Sequence, residues 1–150
     1  MRVLLVDSNQ KFVDAIRESL IALEYTCMGV PPSNDLPAML QGFPADVVFS
    51  GHCLPAIDGL KVLTAVRRAL PASGVVIHSP RIDVSFACEA VSLRVFALVS
   101  ETLELGGFVR LLDQWEQEAS SLRERERQHA CLALEFARLR TAYADLCRER

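Results

Sequence analysis

The sequence predicts an α/β fold: a doubly wound parallel sheet with helices on both faces, followed by a long C-terminal helix. Short apolar runs alternate with amphipathic stretches as far as residue 107. The segments between those runs are long enough to hold the helical crossovers that parallel strands need. From Phe108 to Arg150 there are 43 residues with neither glycine nor proline. As one helix they would extend about 65 Å at roughly 1.5 Å per residue, too far to pack wholly on so small a domain.

Val3–Val6 is a continuous apolar run that ends in Asp7, the pattern of a strand buried on both faces. Residues 12–23 then place Phe12, Ile16, Leu20 and Leu23 at helical spacing, with Lys11, Arg17 and Glu18 left for solvent. Tyr25–Val30 reads as the second strand and is stopped by Pro31-Pro32; Asn34–Leu40 reads as a short helix and Val47–Ser50 as the third strand. Leu60, Leu63, Val66 and Leu70 mark one face of the next helix, which Pro71 ends. Val75–His78 is the fourth strand, Val84–Leu93 a helix and Phe96–Ser100 the fifth strand.

The C-terminal stretch carries a heptad seam: Phe108, Leu111, Trp115, Glu118, Leu122, Arg125, then His129, Leu132, Phe136, Leu139, Tyr143 and Leu146. Nine of these twelve positions are apolar, and the three polar ones fall together in the middle, where they would set register. A seam of this length predicts a coiled coil, because a lone helix would leave it exposed to water. A break at Ser120-Ser121 would instead fold residues 120–150 back as a hairpin.

Composition narrows the functional classes. Hydrophobic residues make up 51% and charged residues 23% of 150, a globular balance. The net charge of −3 gives no support for direct nucleic-acid binding or an anionic-membrane surface. Residues 1–107 hold 8 basic and 11 acidic side chains, and residues 108–150 hold 8 of each, as expected of a solvated, neutral helix. The five cysteines, Cys27, Cys53, Cys88, Cys131 and Cys147, have no regular spacing, which argues for a reducing compartment and small apolar core positions. With no signal-like or membrane-spanning run, a cytoplasmic location is expected.

In open parallel sheets the functional crevice lies beyond the carboxyl ends of the strands. Asp7, Gly51, Ser79 and Glu101 fall at or just after four of those ends. The stretch Asp46-Val47-Val48-Phe49-Ser50-Gly51-His52-Cys53-Leu54-Pro55-Ala56-Ile57-Asp58-Gly59-Leu60 resembles the segment around the phosphorylated aspartate of the response-regulator receiver (CheY-like) family. The resemblance covers about residues 2–118, and the spacings from Asp7 to Gly51 (44), Ser79 (28 more) and Glu101 (22 more) agree with it. It implies the flavodoxin-like (βα)5 order 2-1-3-4-5, which would cluster the four positions.

That family places an acidic pair after the first strand, an aspartate acceptor after the third, a hydroxyl after the fourth and a lysine after the fifth. Here Asp7 matches the first acid, but Ser8 replaces the second, Gly51 replaces the acceptor and Glu101 stands at the lysine position. Ser79 matches the hydroxyl, and Leu98 sits where the family usually has an aromatic switch residue. Glycine cannot form an acyl phosphate, and Glu101 would repel a phosphoryl group where stabilisation is needed. The resemblance therefore implies a pseudo-receiver with no catalytic residue and no cofactor. Asp58, before a glycine, reads as a turn and helix cap. His52, His78, Asp7 and Cys53 lie near the strand ends but lack metal-site spacing, and alternation turns His78 away from the side that Ser79 faces.

The domain reading is a pseudo-receiver over residues 1–118 and a coiled-coil extension, continuous with its last helix, over 119–150. The expected function is a phosphorylation-independent module for protein interaction and dimerisation in bacterial signal transduction. Its partners would be a second copy, through Trp115, Leu122, His129, Leu132, Phe136, Leu139, Tyr143 and Leu146, and a regulatory protein. Pairing through the fourth helix, fifth strand and fifth helix, near Glu89, Arg94 and Arg110, is the alternative geometry. The stretch up to Arg150 still reads as helix, which points to the N-terminal part of a longer regulator. Two other functions stay open: a small-ligand sensor at the crevice, and a receiver phosphorylated on another side chain.

Overall fold

The computed structural model describes residues 1–52, 57–100 and 103–148. Strands and helices alternate as β1 (Arg2–Val6), α1 (Gln10–Ala22), β2 (Thr26–Val30), α2 (Leu36–Gly42), β3 (Val47–Gly51), α3 (Gly59–Ala69), β4 (Gly74–His78), α4 (Val84–Ser92), β5 (Ala97–Val99) and α5 (Leu105–Arg148). The five strands form one parallel sheet in the order β2-β1-β3-β4-β5. The expected flavodoxin-like topology is thus the observed one.

Three of the helices begin at polar caps that satisfy otherwise unpaired N–H groups. Asn9 accepts from the Phe12 amide, Asp58 from Lys61 and Asp83 from Phe86. The Asn9 cap starts α1 at Gln10, two residues before the first apolar position of the sequence pattern. Similarly, α5 begins at Leu105, so Gly106 and Gly107 lie within its first turn. It then runs through Ser120-Ser121 without a break, which excludes the hairpin alternative within this chain.

The pleat divides the core between two faces. Leu4, Val6, Val48, Val75 and Ile77 point to one side and pack with Leu36 and Leu40 of α2, Val62, Leu63 and Val66 of α3, and Phe86 and Ala90 of α4. On the other side Phe49 meets Phe108 of α5 at a centroid distance of 4.6 Å, and Phe12 of α1 meets Phe108 at 6.1 Å. Phe108 and Leu112 are buried, which anchors the start of α5 to the sheet. The compact units of the chain are Met1–Leu112 and Asp113–Arg150.

One side chain clamps the edge of the sheet domain. Arg67, near the end of α3, donates to the carbonyls of Leu93 (3.0 Å), Arg94 (2.6 Å) and Ser73 (2.5 Å). This fixes the α4–β5 turn, where Arg94 takes a left-handed φ of 58°.

The expectation of core cysteines is corrected. Among the described residues Cys27 is half-buried, whereas Cys88, Cys131 and Cys147 are exposed. Cys88 lies on the outward face of α4, and the other two lie on a stretch of α5 exposed at every described residue from Glu124 onward. Cys53 falls outside the described residues. Burial pushes the Cys27 thiol up to about 11, against a smaller lowering influence from Arg17.

Candidate functional site

The carboxyl ends of β1, β3 and β4 meet at the middle of the sheet. Val6 pairs with Ser50, and Gly51 pairs with His78, so Asp7, Gly51 and His78 form a row across three neighbouring strands. Phe49 faces α5, and Gly51, two residues on, shares that face. His78 also turns to this side, with its ring 6.2 Å from that of Phe12 on α1.

Asp7 and His78 meet across the central strand. The His78 Nε2 lies 3.3 Å from the Asp7 Oδ2. Strands two apart are separated by roughly 9.5 Å, so the two side chains bridge the space above Gly51. Any side chain at residue 51 on this face would stand between them. The other Asp7 oxygen, Oδ1, accepts a 2.8 Å bond from the Asn9 amide. Both oxygens of the one remaining acid are therefore engaged within the chain.

The other positions singled out in the sequence are placed as follows. Ser8 is exposed in the β1–α1 loop. Ser79 is buried, and its amide donates to the Val99 carbonyl at 2.9 Å. Its hydroxyl donates to the Arg81 carbonyl at 2.8 Å and accepts from the Arg81 amide at 3.2 Å, so it is held in the turn after β4. Glu101 lies outside the described residues. Leu98 is partly buried against the α3–α4 side of the core. Asp58 caps α3 and Asp46 accepts from the Arg2 amide at the opposite end of the sheet, so each carboxylate has a structural use.

Gly59, at the start of α3, lies close to the end of β3. Gly59 donates to the His52 carbonyl at 3.0 Å, and a Cβ at this residue would lie 3.0 Å from the Gly51 carbonyl oxygen. Glycine is needed there for close approach, not for an unusual φ. His52 stacks on Phe86 of α4 with centroids 3.9 Å apart. Among the described residues no group of three or more His, Cys, Asp or Glu is placed to share a metal ion.

His78 is the site residue that the sequence reading named beside Asp7 but set aside for want of metal-site spacing. Its signal was the register: residue 78 stands opposite residue 51 only once the pairing of β3 and β4 is known.

No protein-family model matches the sequence, and no curated protein does. Solved structures do match. The receiver domain of an HD domain-containing protein from Pseudomonas fluorescens Pf-5 is similar with a TM-score of 0.71 at 22% identity, over 83% of this chain and 92% of that one. A response-regulator receiver domain from Clostridium thermocellum gives 0.72 at 15% identity, over 81% and 98%. The chemotaxis protein CheY4 of Vibrio cholerae gives 0.68 at 16% identity, over 75% and 96%. The fold is that of a receiver domain. At the carboxyl end of β3 in this fold, Gly51 carries no functional group.

The seam residues belong to the second compact unit, apart from its first members. Trp115 is half-buried and His129 is exposed. Leu122, Leu132, Phe136, Leu139, Tyr143 and Leu146 are 50–72% exposed, an uncovered apolar stripe on a single chain. Among the described residues no helix is long and apolar enough to cross a membrane.

Proposed function

We propose that this chain is a phosphorylation-independent pseudo-receiver, a regulatory protein-interaction module in signal transduction that pairs with a second copy through its C-terminal helix. The observation that carries the reading is the Asp7–His78 contact across Gly51. Phosphoryl transfer to a receiver fold needs a nucleophilic carboxylate and a cation to offset the charge of the phosphate. Here the nucleophile is absent, the remaining acid is held by His78 and the Asn9 amide, and the Ser79 hydroxyl is held by Arg81. In the sequence, Glu101 stands where the family has its lysine, so that position supplies an acid in place of a cation. Pairing is supported by the exposed stripe from Leu122 to Leu146, which a two-stranded coiled coil would cover. A regulatory protein as a further partner follows from the loss of the phosphate switch: contacts are what remains for control to act on.

The test is treatment of the chain with a small-molecule phosphodonor and Mg²⁺, read by intact mass. No gain of a phosphoryl group is expected for the wild type or for Gly51→Asp, because the new carboxylate would enter the space of the Asp7–His78 bridge and still lack its cation. Stable labelling of either protein would overturn the proposal.

A further inference from the structure

The C-terminal unit is two segments of different chemistry. Between Asp113 and His129 only three of 17 residues are apolar: Trp115, Ala119 and Leu122. Between Ala130 and Cys147 the count is 13 of 18. A helix that is apolar around most of its circumference is one that becomes buried on more than one side.

The arrangement of those apolar residues is uneven. With about 100° between successive residues, the bulky seam from Leu132 to Leu146 covers an arc of roughly 80°. Beside it runs a ridge of Ala133, Ala144, Ala137 and Ala130, which ends in Leu134, itself 65% exposed. Together they make an apolar arc of about 240° at that spacing, interrupted by Arg140 and Thr141. The charged residues Glu135, Arg138 and Asp145 share what remains with Cys131 and Ala142. A two-stranded coiled coil buries little beyond its seam and would leave the alanine ridge and Leu134 in water.

We infer that residues 130–147 carry two interaction faces and gather four copies of the chain into a helical bundle. The inference rests on the helix-pairing reading above and extends it. Two features of the segment select further copies as the occupant. Its bulky face supplies the large side chains that a small-residue ridge accommodates at close helix–helix approach, so one segment carries both halves of a complementary packing. Its charges, two acidic and two basic, sum to zero, so copies do not repel one another and no charged partner is favoured. A four-helix bundle is the simplest closed, even-numbered assembly in which every helix has a neighbour on each side of its bulky face.

Light scattering on the full chain tests this. The wild type is expected at four times the chain mass of 16.6 kDa. The double variant Leu134→Glu/Ala137→Glu leaves the seam intact and is expected at twice the chain mass. Both sites are exposed and glutamate is a strong helix former, so circular dichroism should show unchanged helicity. A wild-type mass of two or three chains, or a double variant that stays at four, would overturn the inference while leaving pairing in place. A single-chain mass for the wild type would overturn the pairing itself.

Discussion

At the strand ends of the sheet, polar groups satisfy one another: Asp7 with His78 and the Asn9 amide, Ser79 with Arg81. On the C-terminal helix the reverse holds, and large apolar groups such as Phe136 and Leu139 stand 72% and 70% exposed. A receiver fold that works by phosphorylation would leave its strand-end groups free to receive a ligand. Among the described residues the large unsatisfied surface is therefore the apolar stripe of the helix, and on the proposed reading that is where the chain's capacity for interaction lies.

The largest expected effect breaks the helix side of that contrast. Replacing Leu132, Phe136 and Leu139 together with glutamate removes three apolar anchors, each contributing about 1.5–3 kcal/mol on full burial. Association should weaken at least about a thousandfold, seen as a single-chain mass by light scattering, with the melting of the sheet domain unchanged. An unchanged mass would move the interface elsewhere, including to the α4–β5–α5 face.

Next in size is the anchor of α5 within the sheet domain. Phe108→Ala deletes a fully buried ring lying against both Phe49 and Phe12. A loss of about 3–5 kcal/mol is expected, which should lower the melting temperature by roughly 10 °C or more. A loss under about 1 kcal/mol would contradict this packing, because buried aromatic truncations cost well above that.

Smaller still is Asp58→Ala, which removes the cap on the Lys61 amide and should cost about 1 kcal/mol. Asp58→Asn, which keeps the acceptor oxygen, should be nearly neutral by thermal melting. Equal losses in both variants would point to a need for the charge, as at a site for a cation.

The smallest effect is a pH slope. Cys27 ionises at about 11 in the folded chain against an ordinary 9.0, so the folded state holds its proton longer than the unfolded state does. Its contribution is fully present below pH 9 and is lost as pH rises through 9 towards 11. Cys27→Ala should therefore flatten the fall in melting temperature across that window. In alkylation of the native chain, exposed Cys88 and Cys131 should react before Cys27.

The layout of the sheet was legible because each strand and helix is written locally, in runs such as Val3–Val6 and periods such as Leu63 with Val66. Asp58 was legible as a cap because an acid before a glycine and a helical pattern is a local signal. The Asp7–His78 bridge was not, since it joins residues 71 apart through a strand order and a register that no single segment encodes. The Arg67 clamp was hidden for a related reason: its partners are backbone carbonyls, which carry no sequence mark. Cysteine exposure failed as an expectation because it depends on how α4 turns against the sheet and on whether α5 is covered, and an isolated Cys88 or Cys131 records neither.

The most direct measurement is the molar mass of the full chain by light scattering at micromolar concentration, taken with and without a small-molecule phosphodonor and Mg²⁺. The same multi-chain mass is expected in both conditions, because the proposal has association come from the helix and the strand ends accept no phosphoryl group. A single-chain mass, or a mass that changes with the donor, would contradict the account.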